Sequence, residues 1–256
     1  MRKRVREYNR KGFNKTGNAG KDIVGNPYLV SWSALEEHLI HKPGSIKRIS
    51  VRSNNEKKLW QILGEHEQTA IPVAINDDMG SPIEAELTLD QYSEDEFFEA
   101  IELSKPPLIL VLDQVTDTRN IGSIARSAAF FGIKWMIMPR DRQASITTAT
   151  LATAQGAFAH VNPVTVVNLS RTLDRMKSEL NIWVIGTAMD GEPIRELVGQ
   201  YDHAALVLGN ESKGMRPLTA KKCDRIATIP GTKSRVESLN IAVAAGICFH
   251  ELATVQ

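Results

Sequence analysis

The sequence has little of several features that identify common classes of protein. It contains two cysteines, Cys223 and Cys248, both in predicted helices, which indicates inert reduced thiols and a reducing cytosol. The longest apolar run, residues 241–249 with one internal glycine, is far below the roughly 20 residues of a membrane-spanning helix. No apolar signal segment opens the chain. We therefore predict a cytoplasmic protein with no membrane partner.

Several catalytic signatures are also missing. There is no G-x-S-x-G nucleophile elbow, no G-x-G-x-x-G after a predicted strand, and no complete P-loop spacing. The six histidines lie outside the loops discussed below, and no Cys/His spacing suggests a metal. These absences argue against a serine hydrolase, a nicotinamide-dependent enzyme and a resident metal.

The charge is unevenly distributed. Residues 1–21 hold eight of the 31 basic residues and one of the 30 acidic residues, so the remainder carries a net charge of −6. We predict a disordered basic tail over residues 1–25. Three interpretations of it stay open: an RNA-contacting arm, a solubilising or artificially added end, and an organelle-targeting presequence.

Residues 26–90 are predicted to form a small α/β module, and residues 91–106 an acidic linker helix that ends at Lys105-Pro106-Pro107. Apolar spacing predicts helices over 32–40, 56–63 and 92–103 and strands over 46–51 and 71–75.

Residues 107–256 alternate predicted strands (108–112, 135–138, 183–186, 205–208 and 225–229) with predicted helices (121–131, 170–180, 216–223 and 239–252). Nearly continuous apolar strands between amphipathic helices favour a parallel sheet covered on both faces.

Three polar segments follow predicted strands in this second part. They are Asp117-Thr118-Arg119-Asn120-Ile121-Gly122-Ser123-Ile124-Ala125-Arg126, Leu208-Gly209-Asn210-Glu211-Ser212-Lys213-Gly214 and Val236-Glu237-Ser238-Leu239-Asn240. Ligands of open α/β sheets bind beyond the carboxyl ends of the strands. The three segments are therefore predicted to form one site.

In the first segment, Asn120 is a candidate cap for the helix that follows. Arg126 shares a helix face with Gly122, which we expect to leave space for the guanidinium. A planar guanidinium beside a helix N-terminus suits a phosphate or a reacting oxygen. The alternative is a solvated surface arginine.

In the second segment, Gly209 is expected to let a ligand approach the backbone, and Glu211 to orient a hydroxyl or a base. In the third, Ser238 is a candidate cap of a helix that is apolar all round, which we expect to be buried. The amide of Asn240 at its first turn then needs a partner. The alternatives are an ordinary turn and a cap with no other role.

These residues make residues 108–252 resemble the SpoU/TrmH family of RNA ribose 2′-O-methyltransferases, within the SPOUT superfamily. The shared pattern is N-x-G-x-x-x-R, L-G-x-E-x-x-G and S-L-N-x-x-x-A. The resemblance implies an α/β SPOUT domain with a C-terminal trefoil knot, S-adenosyl-L-methionine as cofactor and a homodimer. It also implies that the first module is a ribosomal-protein-like, RNA substrate-binding unit.

The resemblance also implies roles for individual residues. Arg126 looks like the group that activates the ribose hydroxyl, or merely positions it, since an arginine stays protonated at neutral pH. The implied catalytic residues are Arg126, Asn120, Glu211, Ser238 and Asn240. The implied cofactor-binding residues are Thr187, Leu208, Gly209, Asn210, Ile229, Ser238 and Leu239. The plausible RNA contacts are Arg48, Arg52, Lys57 and Lys58, for which a solvated face is the alternative.

The extra module favours ribosomal RNA over transfer RNA as the substrate. A non-catalytic RNA-binding or ribosome-assembly factor and a base methyltransferase of the same superfamily are the alternatives. The chain departs from the family at Ala154-Gln155-Gly156-Ala157, where many relatives carry Ser-x-Gly-Ala, and in the longer, more basic loop 230–236.

Overall fold

The structure is a computed structural model that describes residues 28–104, 106–141, 143–232 and 238–253. The predicted basic tail, Lys105 and residues 233–237 of the loop before the last helix lie outside the described residues. Within the described ranges, no helix has the length and apolarity that crossing a membrane requires.

The first part of the chain forms a small sheet with two helices. Its elements are β1 (Tyr28–Leu29), α1 (Trp32–His41), β2 (Ile46–Val51), α2 (Glu56–Glu65), β3 (Val73–Ile75) and β4 (Ile83–Leu87). The strand order is β1-β4-β2-β3, with β2 antiparallel to β4 and parallel to β3. The predicted helices and both predicted strands are present. The strands β1 and β4 are absent from the sequence prediction, although the residues of β4 alternate between apolar and polar side chains.

The second part forms a parallel six-stranded sheet. Its strands are β5 (Leu108–Leu112), β6 (Trp135–Pro139), β7 (Asn162–Val166), β8 (Trp183–Pro193), β9 (Ala204–Leu208) and β10 (Arg225–Thr228), in the order β10-β8-β9-β5-β6-β7. Its helices are α3 (Glu94–Ser104), α4 (Thr118–Phe130), α5 (Thr148–Ala154), α6 (Leu169–Leu180), α7 (Pro217–Ala220) and α8 (Ile241–Ala253). The predicted parallel sheet is confirmed.

Two elements of this part are missing from the sequence prediction. The strand β7 contains Pro163, which lacks the N–H of a central strand and is tolerated because β7 lies at the edge of the sheet. The helix α5 is short and rich in threonine. It is stabilised by a capping box in which the Thr147 and Thr150 side chains each bond the other's backbone N–H.

Both faces of the large sheet are buried. Along β5, Leu108, Leu110 and Leu112 belong to the core under α4, α5 and α8, whereas Ile109 and Val111 belong to the core under α3 and α6. Burying one such side chain stabilises the fold by about 1.5–3 kcal/mol. The prediction of a sheet covered on both sides is confirmed.

The two described cysteines are free. Burial raises the pKa of the Cys223 thiol to about 11 and that of Cys248 to about 12. Both are therefore protonated at neutral pH, which agrees with the predicted inert thiols.

The turn after α5 joins the two sheets. The Gln155 side chain accepts hydrogen bonds from Ser31 Oγ (3.4 Å) and Ser33 Oγ (3.3 Å) at the start of α1. Gly156 has a φ of +91°, and a Cβ there would lie 2.9 Å from Cβ of Glu37. Gln155 and Gly156 therefore dock α1 against this turn.

Candidate active site

Side chains from all three predicted segments meet at the carboxyl end of the large sheet. The Asn120 amide donates to Glu211 Oε2 (3.5 Å) and accepts from Asn240 Nδ2 (3.1 Å). Asn120 lies in the first turn of α4, Glu211 in the loop after β9, and Asn240 directly before α8. The structure therefore brings together residues that are 91 and 120 positions apart in the chain.

The start of α4 differs from the prediction in a way that frees Asn120. The helix begins at Thr118, and its cap is Asp117, whose carboxylate accepts from the Arg119 N–H at 2.8 Å. Hydrogen bonds from Arg119 hold the pKa of the Asp117 carboxyl below its usual value. The prediction that Asn120 caps the helix is wrong. Its amide lies within the first turn, where it contacts Glu211 and Asn240.

The start of α8 also differs from the prediction. The Asn240 side chain accepts from the Ala242 N–H at 2.9 Å, so Asn240 caps the helix and Ser238 does not. The expectation that Asn240 needs a partner is confirmed. The helix is not buried all round, since Val243 is 53% exposed. Of the predicted segment, Val236 and Glu237 lie outside the described residues.

The loop after β9 is held by its own residues. Asn210 Oδ1 accepts from the backbone N–H groups of Ser212 (3.0 Å) and Lys213 (3.1 Å), and its amide donates to the Gln114 carbonyl at 2.9 Å. Both backbone groups of Asn210 bond Gly214. A Cβ on Gly209 would collide with the Gly214–Met215 backbone. Gly209 therefore allows the Gly214–Met215 backbone to pack against it.

A buried ion pair, absent from the sequence prediction, fixes the same loop. Asp113 follows β5 and is fully buried; its carboxylate accepts from Arg216 Nε (2.6 Å) and from the Arg216 backbone N–H (2.8 Å). The Asp113 N–H in turn donates to the Leu208 carbonyl. The sequence indicates this ion pair only by an acidic residue directly after a buried strand, and the arginine that pairs with it lies 103 positions away.

Three of the predicted cofactor residues, Thr187, Leu208 and Ile229, lie where neighbouring strands stop pairing or end. β8 pairs with both β9 and β10, so Thr187, Leu208 and Ile229 are at the same edge of the sheet. The Thr187 hydroxyl donates to the Val207 carbonyl at 3.0 Å. Leu239, next to Asn240, is 45% exposed, and Ser238 is exposed as well.

The strand β8 leaves its partner at this edge. Gly186 pairs with Ile226 of β10, but the next paired residue of β8 is Glu192, so residues 187–191 do not pair with β10. This unpaired segment, here called the excursion, ends where Gly191 lies against the Ile226 backbone. Met189 in the excursion is 66% exposed. Thr187 was predicted from the sequence, whereas this excursion was not; the glycine at position 191 was the sequence signal for it.

Arg126 is not joined to this hydrogen-bonded set. Its side chain is exposed and makes no hydrogen bond or ion pair with another described residue. The space at Gly122 is filled by α5, where a Cβ would lie 2.8 Å from Thr153 Cβ and collide with the Thr150 carbonyl. The prediction that Gly122 makes room for the guanidinium is wrong. Gly122 allows two helices to pack closely.

The candidate RNA contacts lie in the first part of the chain. Arg48 bonds Glu86 Oε2 at 2.5 Å, and the guanidinium of Arg52 donates to the Met79 carbonyl. Lys57 and Lys58 are exposed on α2, where Lys58 Nζ lies 4.4 Å from the ring centroid of Trp32. Three of the four cationic groups therefore contact another group of the protein.

The fold and the converging loops place the chain in a class of α/β proteins with a ligand site at the carboxyl edge of a parallel sheet. The SpoU rRNA Methylase family matches residues 107–250, more than half of the chain. The chain belongs to this family.

Named relatives agree with this assignment. The 23S rRNA (guanosine-2′-O-)-methyltransferase RlmB of Coxiella burnetii is 41% identical over 147 residues, which are 57% of this chain and 58% of the relative's length. The protein of the same name from Ralstonia nicotianae is 35% identical over 236 residues, 87% of this chain and 93% of the relative. The fold resembles the crystal structure of the SpoU methyltransferase AviRb from Streptomyces viridochromogenes in complex with AdoMet, with a TM-score of 0.72 over 89% of each chain and 20% identity.

Proposed function

We propose that the protein transfers a methyl group from S-adenosyl-L-methionine to a ribose 2′-hydroxyl of ribosomal RNA in the cytoplasm. The observation that carries this proposal is the series of side-chain hydrogen bonds from Glu211 through Asn120 to Asn240. It joins three loops where open α/β sheets bind their ligands. The names of the Coxiella and Ralstonia relatives support ribosomal RNA as the substrate.

The strand ends fit a cofactor that has both apolar and polar parts. Met189 and Leu239 are 66% and 45% exposed, and Ile229 is half-buried. Ligand sites are lined mainly by apolar side chains with a few polar groups, and this edge offers both. When bound, the cofactor supplies an electrophilic methyl group on a sulfonium centre. The residues proposed to contact it or to shape its site are Thr187, Leu208, Gly209, Asn210, Ile229, Ser238 and Leu239.

The manner of binding differs among these residues. Asn210 has its amide, its N–H and its carbonyl engaged within the loop, so we assign it to shaping the site. Gly209 has the same role, because its open side is covered by the Gly214–Met215 backbone. We therefore expect Thr187, Ile229 and Leu239, at the surrounding strand and helix ends, to contact the cofactor.

The protein's main task is to align the hydroxyl with the methyl group. An arginine side chain stays charged at neutral pH and carries five donors. Because Arg126 is exposed and bonds no other described residue, we assign it to holding the ribose oxygen and an adjacent phosphate. Asn120, held between Glu211 and Asn240, orients the nucleotide. Ser238, exposed beside them, completes the pocket wall.

We propose that residues 26–90 form the RNA-binding module, with 91–106 as linker and 107–256 as the methyltransferase domain. Lys57 and Lys58 are the cations best placed to meet phosphate, because both are exposed on one helix. To bind RNA, Arg48 would have to break its bond to Glu86, and Arg52 its bond to the Met79 carbonyl. We therefore expect the two lysines to contribute more to the salt dependence of RNA binding.

We also propose a homodimer formed through α4 and α8. These helices pack on each other, since Phe131 contacts Phe249, and they expose Phe130 (83%) and Val243 (53%) to solvent. Exposed apolar patches on helices mark protein interfaces. In light scattering after gel filtration, we expect a dimer that Val243→Glu converts to monomer. The control Val167→Glu, also at an exposed valine, should stay dimeric. A monomeric parent protein would refute this arrangement.

The trefoil knot is likewise proposed for the segment between β8 and α8. Support comes from close backbone packing in this region: a Cβ on Gly209 would collide with the Met215 backbone nitrogen, and one on Gly191 would lie 2.5 Å from the Ile226 carbonyl oxygen. Such packing requires glycine where chain segments cross closely.

Methyl transfer from radiolabelled S-adenosyl-L-methionine to unmodified large-subunit ribosomal RNA tests the activity. We expect label that resists alkaline cleavage at one linkage, since a methylated 2′-hydroxyl cannot attack the neighbouring phosphate. Asn120→Ala should reduce the rate by about 100-fold, because Asn120 positions the nucleotide, whereas Gln200→Ala, at an exposed amide ahead of β9, should not. Label on a base would favour a base methyltransferase. If calorimetry detects no binding of the cofactor, the result would favour a non-catalytic assembly factor. Label on transfer RNA alone would show that transfer RNA, and not ribosomal RNA, is the substrate.

A further inference from the structure

A cluster of metal-ligating side chains lies outside the proposed active site, where α1 meets the turn after α5. His160 Nε2 is 2.7 Å from Glu37 Oε2, and His41 Nε2 is 3.7 Å from the same oxygen. One ligand atom from each of the three residues lies within 4.8 Å of the others. Two of the residues belong to α1 and the third to the methyltransferase domain.

The residue types and their spacing suit a transition-metal ion. Glu37 and His41 are four apart on one helix and therefore project from one face. Two imidazole nitrogens and one carboxylate oxygen are a ligand set that zinc accepts, with water as a fourth ligand. Tetrahedral coordination at about 2.0–2.1 Å separates ligand atoms by about 3.3 Å. The observed separations of 2.7 and 3.7 Å lie on either side of that value, so small side-chain rotations suffice.

The backbone places the ligands without relying on flexible loops. Gly156, with its φ of +91°, allows α1 to approach so closely that a Cβ there would lie 2.9 Å from Cβ of Glu37. His160 follows a short helical turn over Ala157–Ala159, whose residues are buried. The two histidine rings are 4.3 Å apart, and they line a cavity of about 300 Å³ with Lys134 at its edge. The site is half-open to solvent and accessible to an ion.

We propose that Glu37, His41 and His160 bind a divalent transition-metal ion of the zinc class, which fastens the first module to the methyltransferase domain. The ion is held by ligands from both parts of the chain, so it binds the docked arrangement and stabilises it by mass action. The proposal depends on neither the methyl-transfer activity nor the identity of the RNA.

Titration calorimetry of ZnCl₂ into the tag-free, chelator-treated full chain tests the proposal. We expect one ion per chain, with binding weakened by about tenfold or more in His41→Ala and His160→Gln. His66→Ala, at a partly exposed histidine that ends α2, is the matched control and should bind as the parent protein does. Glu37→Gln retains a hydrogen-bonding side chain and should also lose affinity.

Two further readouts separate metal binding from a folding defect. Circular dichroism without metal should be the same for all variants. Zinc should raise the melting temperature of the parent protein and of His66→Ala, but not of His41→Ala or His160→Gln. A parent protein that binds no zinc, or variants that bind it as tightly as the parent does, would overturn the proposal and leave an ordinary hydrogen-bonded ion pair.

Discussion

Replacing Asp113 with asparagine should destabilise the protein more than any surface ion-pair substitution. The Asp113 carboxylate is fully buried and accepts two hydrogen bonds from Arg216, at 2.6 and 2.8 Å. Hydrogen bonds to charged groups contribute about 1.5–3 kcal/mol each. Removing one partner of a buried pair costs about 3–5 kcal/mol, because it leaves the other charge uncompensated.

The structure places the cost of this substitution at or below the lower limit of that range. The Arg216 side chain is 29% exposed and can turn toward water, and asparagine keeps one acceptor oxygen. We expect a loss of about 2–3 kcal/mol, or roughly 5–10 °C in Tm for a chain of this size.

Urea and thermal unfolding measure the effect, with Asp174→Asn as the control. Asp174 pairs with Lys222 at 2.5 Å, but its side chain is 48% exposed, so its loss should cost less than about 1 kcal/mol. Equal stability of the two variants would refute the reasoning that the Asp113–Arg216 pair holds the loop after β9.

Three further predictions concern glycine packing, the guanidinium and pH. Gly122→Ala should lower the free energy of unfolding by about 1–3 kcal/mol, because the added methyl group collides with α5. Gly246→Ala is the control: the nearest atom to its added methyl group is 3.9 Å away, so it should stabilise α8 by up to about 1 kcal/mol. Equal effects of the two variants in urea titrations would contradict this prediction. Arg126→Ala should lower kcat/KM for methyl transfer by about 100-fold or more and leave Tm and cofactor affinity unchanged, and a large fall in Tm would contradict its exposed position. Burial, aided by Lys42, lowers the pKa of His38 from 6.5 to about 4, so the folded state binds fewer protons than the unfolded state in that range. The protein should therefore lose stability as the pH falls from 6.5 toward 4, by at most about 1.4 kcal/mol per pH unit. The free energy of unfolding of the His38→Gln variant should depend less on pH in this range.

Local patterns in the sequence were sufficient for the main elements of the fold. Continuous apolar residues identified β5 and β9, and helical spacing identified α4 and α8 to within a few residues. The convergence of the three loops followed from one rule, since parallel strands present their carboxyl ends at the same edge. Asn240 needed a partner because it precedes an apolar helix, and that partner is Asn120.

The errors concern features that depend on distant parts of the chain. The role of Gly122 was misjudged because the atoms that fill its open side belong to α5. The strand β7 contains a proline, and only its place at the sheet edge explains why it is a strand. Neither the Asp113–Arg216 pair nor the contact of Glu37 with His160 is local, at 103 and 123 positions apart. Side-chain partners at such separations are fixed by packing and cannot be read from spacing.

The most direct test of the account is a map of ribose methylation in ribosomal RNA from cells that lack this protein. The account predicts that one 2′-O-methyl group disappears from the large-subunit RNA. It should return with the intact gene and stay absent with the Arg126→Ala or Asn120→Ala variant. An unchanged methylation map, or full rescue by both variants, would contradict a site built from the loops of α4, β9 and α8.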